Sequence, residues 1–279
     1  MNNNRLTVTT HNALKKFGRI STLFIGSRFG ELFPFYYVVE YPKCGGTWVG
    51  KMLGTCLDVP FPQFPVLPIG FEAVIHSHTK YNPRLKRVVY LIRDGRDVMV
   101  SYYFHRQRGL NTQYRNACLK WMKKVYGKEI DMNDYETYLP RFIESEMETP
   151  SITQLNWPDH VNNWSEKPNV VCAKYEDLLT NGSDTLQTIC NFISDKPIDK
   201  KRIDTAINLY SFKNMTKRNA GEEDRNSFLR KGISGDWKNH FNKESADIFN
   251  HYAGDILINQ GYESNNNWIK AFKKDIART

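Results

Sequence analysis

The chain has 279 residues, 40% hydrophobic and 25% charged, with a net charge of +9 at pH 7; it is long enough to bury a core, and its basic balance favours anionic partners without choosing among nucleotides, sulfated or phosphorylated small molecules, acidic lipids and nucleic acid. The 5 cysteines form no close pairs, C-x-x-C or Cys/His cluster, which excludes a disulfide framework and a zinc motif and implies a reducing compartment. No stretch reaches the roughly 20 apolar residues of a membrane span, and the polar start Met1 to Asn4 does not resemble a secretory signal, so the expectation is a cytoplasmic protein.

Residues 1–32 open polar and then carry Leu14, Phe17, Ile20 and Phe24 near helical spacing, with Lys15, Lys16 and Arg19 between them. A basic amphipathic helix of this kind can lie on an acidic membrane, but the reading adopted is that it covers the domain's own core. The apolar run Phe33 to Val39 predicts a buried strand, and Val49 to Leu57 a helix. Between them stands Tyr41-Pro42-Lys43-Cys44-Gly45-Gly46-Thr47-Trp48. A glycine pair between strand and helix lets backbone N–H groups turn toward an anion. Lys43 adds a cation, Thr47 a hydroxyl in the first helical turn, and Trp48 a flat face for a purine. The lysine precedes the glycines, so the Walker pattern of ordinary P-loop enzymes is absent. The alternative is a packing turn with a solvated lysine. Cys44 reads as a small residue that fits. Pro60, Pro62, Pro65 and Pro68 then break the chain into an irregular segment that lines a substrate opening or merely connects elements.

Ala73 to His78 reads as a short strand ending in His76-Ser77-His78, and ligand-facing groups of a parallel sheet sit at carboxyl ends of strands. Arg87 to Arg93 is a further strand, continuous in Val88, Val89, Tyr90, Leu91 and Ile92 as expected where both faces are covered. Arg93-Asp94-Gly95-Arg96-Asp97 forms its turn, with Asp97 as the expected cap of a helix from Val98. Arg93 can grip a phosphate bidentately and Ser101 can donate a hydroxyl; the alternative pairs Arg93 with Asp94 or Asp97.

Residues 106–133 hold Arg106, Arg108, Arg115, Lys120, Lys123, Lys124 and Lys128, and read as an exposed helical insertion with a solvated face. Helices are expected over Asp134 to Glu146, Thr185 to Ile193, Lys201 to Leu209 and Glu244 to Leu257, with Trp157, His160, Val161 and Trp164 as core, and a strand over Asn169 to Ala173. Met215 to Asn226 reads as a mobile polar loop before Phe228-Leu229-Arg230-Lys231-Gly232, and the tail Trp268, Phe272, Ile276 carries Lys270, Lys273 and Lys274. Alternating strands and helices without a linker predict an α/β fold with a parallel sheet, in a single domain over 1–279 that includes an N-terminal helical extension at 1–32 and a basic tail at 263–279.

The Tyr41 to Trp48 loop, Arg93 with Ser101, and the run Arg230-Lys231-Gly232-Ile233-Ser234-Gly235-Asp236-Trp237-Lys238 together resemble the cytosolic sulfotransferase family over roughly residues 36–262. The resemblance leaves the termini and the 106–133 insertion outside. It implies a P-loop-NTPase-like central parallel sheet flanked by helices, and transfer of a sulfuryl group from 3′-phosphoadenosine 5′-phosphosulfate (PAPS) to a hydroxyl or amine, releasing 3′-phosphoadenosine 5′-phosphate (PAP). By the resemblance Lys43, Cys44, Gly45, Gly46, Thr47 and Trp48 hold the 5′-phosphosulfate, and Arg93, Ser101, Arg230, Lys231 and Gly232 the 3′-phosphate. Tyr175, Ser211, Phe212 and Met215 enclose the adenine. His78 matches the catalytic histidine, while His76 stands where the family has a lysine. The family's dimer motif begins at Lys238, but Asn242, Lys243 and Asp247 replace its remaining positions.

The chemistry agrees with these roles. A loose, in-line transfer, by analogy with phosphoryl transfer, asks for positioning and for charge on the departing phosphate, which Lys43 supplies. A neutral His78 imidazole can take the acceptor's proton, and cationic side chains in place of a metal imply that none is required. The acceptor, whether small molecule, lipid or saccharide, is not encoded in a readable signature. Rival readings are a basic nucleic-acid-binding protein, which would need one continuous cationic and aromatic groove, and an atypical nucleotide kinase.

Overall fold

The computed structural model describes residues 2–63 and 65–272, so Met1, Lys273, Lys274 and Ile276 lie outside the described residues. In chain order the helices and strands are α1 (Asn2–Phe29), β1 (Phe35–Glu40), α2 (Gly46–Leu57), β2 (Ala73–Ser77), β3 (Val88–Ile92), α3 (Gly95–Gly109), α4 (Arg115–Tyr126) and α5 (Tyr135–Glu148). They continue with α6 (Trp157–Trp164), β4 (Val170–Lys174), α7 (Tyr175–Thr180), α8 (Gly182–Ile193), α9 (Lys200–Leu209), α10 (Phe212–Thr216) and α11 (Lys243–Asn259). Two compact units are built from them. The first takes the chain up to Glu40, then Gly45–Leu91 and Trp164–Ser211; the second takes Tyr41–Cys44, Ile92–Asn163 and the chain from Phe212 onward.

The first unit is organised by a 4-stranded sheet in the order β2-β1-β3-β4. β1 pairs parallel with β2, from Phe35 opposite Ala73 to Val39 opposite Ser77, and parallel with β3 on its other side. Every residue of β1 and β3 is buried, which is why both read as unbroken apolar runs rather than alternating ones. Val49, Met52, Leu53 and Cys56 of α2 are fully buried, as are Leu186, Ile189, Cys190 and Ile193 of α8. Trp164 stacks on Tyr90 at 5.9 Å between centroids while its indole N–H donates to the Thr79 carbonyl at 2.8 Å, so the ring is buried without orphaning its polar atom.

The second unit is helical. Val98, Met99, Val100, Tyr102, Tyr103 and Phe104 of α3 are buried, together with Phe142 and Ile143 of α5 and Phe249 of α11. Gly95 opens α3 where a Cβ would lie 2.6 Å from the Trp157 ring and 2.7 Å from Phe249, so only glycine lets the helix start that close.

Four sequence expectations differ. Helix α1 begins at Asn2, and its apolar face does not cover a core: Leu14, Phe17, Ile20 and Phe24 are 44–61% exposed, while Gly18, Thr22 and Gly26 face inward. Amphipathicity marks a face but not what lies against it. The 106–133 stretch has the expected solvated face, with Arg115, Lys120, Lys123, Lys124 and Lys128 exposed, but it is not exposed throughout, because α4 buries Cys118, Trp121, Met122 and Val125 on its other side. The cap of α3 is Asp94, whose carboxylate accepts from Arg96 N–H, and Asp97 instead accepts from the backbone N–H of Gly235 at 2.6 Å and of Trp237 at 2.9 Å. The Met215 to Asn226 loop is held down, with Gly221 N–H donating to Lys231 O, Asp224 N–H to Arg230 O, and Arg218 to Glu222 O and Arg230 O.

Candidate active site

The loop from Tyr41 to Gly45 begins where β1 ends. Cys44 N–H closes a turn on the Tyr41 carbonyl at 3.2 Å, and Lys43 adopts φ 81°, a left-handed conformation that side chains other than glycine avoid. Gly45 follows at φ 106° and caps α2. A Cβ on Gly45 would meet the Tyr175 ring at 3.0 Å, and one on Gly46 would meet His76 and Glu40 at 2.6–2.7 Å. Both glycines are therefore required by backbone shape and close approach.

Glu40, the last residue of β1, organises the first unit's share of the site. Its Oε2 accepts the Gly46 N–H at 2.5 Å, its Oε1 lies 3.0 Å from His76 Nε2, and its carbonyl lies 2.9 Å from His78 Nδ1. Burial opposes its charge, but the hydrogen bond and electrostatic pull of His76 and the Gly46 N–H outweigh that, and its pKa falls below the usual carboxylate value. A carbonyl can only accept, so His78 carries its proton on Nδ1 and presents the Nε2 lone pair. Desolvation, then the neighbouring His76, push the His78 pKa down to about 4, so the ring is neutral at physiological pH. The two imidazoles meet edge to face with centroids 4.7 Å apart. Potential ligand atoms of Glu40, His76 and His78 lie within 4.8 Å of one another, a spacing that a metal ion could also bridge. In the same unit the Trp48 indole donates to the Tyr210 carbonyl at 2.8 Å and packs edge-on against Tyr175 at 5.6 Å, with Ser211 next in the chain.

The second unit gathers the cations. Lys43, Ser101, Phe104, His105, Arg108, Arg225, Ser227, Phe228 and Arg230 line one small hollow. Lys43 Nζ sits 4.4 Å from the Phe228 ring centre. Arg93 donates to the Lys43 and Ile233 carbonyls at 3.2 Å each and lies 3.9 Å from Asp97, so the alternative pairing with Asp97 is loose, and Asp94 is bridged by Arg96 at 2.7 Å. Arg230 and Lys231 both donate to Asp236, at 2.5 and 2.6 Å, and Arg230 also pairs with Glu223. Burial works against the charge on Asp236, but donors from His240, Lys231, Asn239 and Arg230 hold its pKa far below the ordinary value. Gly232, at φ 68°, leaves room for the Phe212 ring, which would lie 2.3 Å from a Cβ there. Burial and the charges of Lys43, Arg108 and Arg106 lower the His105 pKa to about 3.

Each unit thus brings together part of the predicted set: Gly45, Gly46, Thr47, Trp48, His78, Tyr175 and Ser211 belong to the first, and Lys43, Cys44, Arg93, Ser101, Phe212, Met215, Arg230, Lys231 and Gly232 to the second. Sequence reading missed Glu40 and His105. The one signal for Glu40 was an acid closing an otherwise apolar strand immediately before a glycine loop; His105 carried none.

Comparison with known proteins adds a family. The model of the sulfotransferase domain matches residues 72–261, a stretch that includes both histidines, α4 and Arg93 to Gly232 and starts after the Lys43 to Trp48 loop. Human sulfotransferase 2A1 is 28% identical over 256 residues, covering 76% of this chain and 80% of the relative. Dog sulfotransferase 1A1 is 27% identical over 250 residues, covering 73% and 77%. Among solved structures, mouse sulfotransferase SULT7A1 complexed with PAP has a TM-score of 0.59 at 20% identity, covering 85% of this chain and 88% of that one. Retinol dehydratase in complex with androsterone and inactive cofactor PAP has a TM-score of 0.57 at 18% identity, covering 83% of each.

Proposed function

The chain belongs to the sulfotransferase domain family, and we propose that it moves a sulfuryl group from PAPS to a hydroxyl or amine of a small-molecule, lipid or saccharide acceptor, with PAP as product. The reading treats residues 1–279 as a single sulfotransferase domain with a helical extension at 1–32 and a basic tail at 263–279, and as a cytoplasmic enzyme. No described helix is long and apolar enough to cross a membrane.

His78 is the general base. Its Nδ1–H is spoken for by the Glu40 carbonyl, so Nε2 is the atom that takes the acceptor's proton as the new S–O bond forms. Lys43 offsets the charge that builds on the 5′-phosphate as its bond to sulfur breaks. Residues Lys43 to Trp48 hold the 5′-phosphosulfate, with Trp48 against the adenine beside Tyr175, Ser211, Phe212 and Met215. Arg93, Ser101, Arg230, Lys231 and Gly232 hold the 3′-phosphate; Asp236 keeps Arg230 and Lys231 pointed into place before any phosphate arrives.

The observation that carries the catalytic assignment is the fixed tautomer of His78. The test is PAP release from PAPS with a panel of phenols, aliphatic alcohols, sterols, glycolipids and saccharides. Turnover that persists in EDTA agrees with a reaction that needs no metal; loss in EDTA that zinc restores would replace this mechanism with a metal-dependent one at Glu40, His76 and His78. No turnover with any acceptor, together with no binding of PAP, would remove the reading.

A further inference from the structure

Helix α1 contains Arg5, Lys15, Lys16, Arg19 and Arg28 and no acidic residue along its whole length. Leu14, Phe17, Ile20 and Phe24 recur at intervals of three and four, so they share one face, and all are exposed, Phe24 by 61% and Phe17 by 57%. The helix is anchored by its other side. The backbone of Pro65 to Leu67 lies about 3.0 Å from where a Gly18 side chain would start, and Thr22 accepts the Ile69 N–H at 3.0 Å while donating to the Gly18 carbonyl at 2.7 Å. Gly26 is pressed against the ring of Tyr37. That anchoring leaves further apolar side chains in water near the helix: Leu67 on the crossing segment is 69% exposed, and Phe29 and Leu32 at the helix end are 45% and 75% exposed.

We propose that the exposed face of α1, with Leu67, docks on the surface of an anionic lipid bilayer. Phe17, Phe24 and Leu14 enter the headgroup–acyl boundary while Lys16 and Arg28, exposed on either side of that face, meet acidic headgroups. Apolar side chains flanked by cations along a helix that lies flat is the pattern such surfaces select. Charge decides between this partner and a second copy of the chain, because stacking two α1 faces would set cations against cations with no acid on either helix to neutralise them. The helix is too polar to cross the bilayer, so it lies on the surface. The proposal stands on α1 alone and does not depend on the chemistry at His78.

The test is sedimentation of the full chain with vesicles of phosphatidylcholine alone and of equal parts phosphatidylcholine and phosphatidylserine. Binding to the mixed vesicles only, released by raised salt, is the expected result. The Lys16→Glu/Arg28→Glu variant should bind them at least about tenfold more weakly, since each basic residue near an anionic surface contributes about 1 kcal/mol. Phe17→Ser/Phe24→Ser, which changes only side chains already in water, should bind with a similar loss. Absence of parent binding to both vesicles, equal binding to both, or concentration-dependent dimerisation abolished by Phe17→Ser/Phe24→Ser would each overturn the proposal, the last in favour of a self-associating face.

Discussion

His78 and Glu40 are tied through the backbone: the imidazole Nδ1–H reaches the Glu40 carbonyl at 2.9 Å, so the orientation of the ring is set by the strand that leads into the glycine loop. The Glu40 side chain does a second task, receiving the Gly46 N–H and His76. One residue at a strand end therefore fixes the loop, the first turn of α2 and both histidines relative to one another.

The lowered pKa of His78 sets the pH profile. A base works only when deprotonated, and His78, the base proposed above, takes a proton near pH 4 rather than near its ordinary 6.5. With chelator present, kcat/KM should stay flat from pH 7 to 5.5 and fall only on further acidification, and His78→Ala should lose roughly 10²-fold or more in turnover at every pH. An acid limb centred at 6.5, or full turnover in His78→Ala, would point to another base, with His76 the first to examine. The same shift bears on stability. The unfolded chain takes up this proton near pH 6.5 and the folded one only near 4, so the contribution of His78 to stability is lost as pH falls through that interval.

Glu40 is buried and its carboxylate is bonded to His76 and to the Gly46 N–H, so its replacement is costly. In Glu40→Gln the amide oxygen can keep the Gly46 N–H while the amide N–H₂ faces His76 Nε2, which must give up its proton there, so the carboxylate's charge-assisted bond to His76 is lost. Charge-assisted hydrogen bonds contribute about 1.5–3 kcal/mol each, and urea unfolding should show a loss of that size. An unchanged midpoint would mean that Glu40 is not the organising residue described above.

Lys43 separates stability from catalysis. At φ 81° its backbone is in a region that costs a non-glycine residue about 1–2 kcal/mol, so Lys43→Gly should leave the melting temperature unchanged or higher. Turnover should nevertheless fall by roughly 10²-fold or more, because the charge proposed to face the departing phosphate is gone. Retained turnover in a well-folded Lys43→Gly would assign that charge to a different residue, with Arg108 of the same hollow the next candidate.

Much of this was legible in the sequence, for reasons that also mark the limit. β1 and β3 declared themselves because strands covered on both faces must be apolar throughout, and the loop after β1 because Gly45 and Gly46 are the residues its backbone needs. What was hidden depends on partners distant in the chain. Glu40 answers to His76, which lies 36 positions on, and Asp97 answers to Gly235 and Trp237, 138 and 140 positions on. A local pattern assigned Asp97 to a helix cap because a carboxylate near a helix start has a default use, and nothing nearby signalled the longer-range one. The exposed side of α1 was hidden for a related reason, since a periodic apolar stripe is identical whether protein or lipid covers it.

Arg230 offers the sharpest test of the nucleotide assignment. It is held by Asp236 and Glu223, both of which keep other cationic partners, Lys231 and Arg225, when it is removed. The fold of Arg230→Ala should therefore survive, with a melting temperature close to that of the parent. Calorimetry should show at least about tenfold weaker binding of PAP, the scale of one charge-assisted phosphate contact. Binding of adenosine 5′-phosphate, which lacks the 3′-phosphate, should hardly change. The comparison isolates the 3′-phosphate because the two ligands share everything else that the loop and the adenine contacts can grip. Equal losses for both nucleotides would detach Arg230 from that phosphate and assign it to the structural network around Asp236.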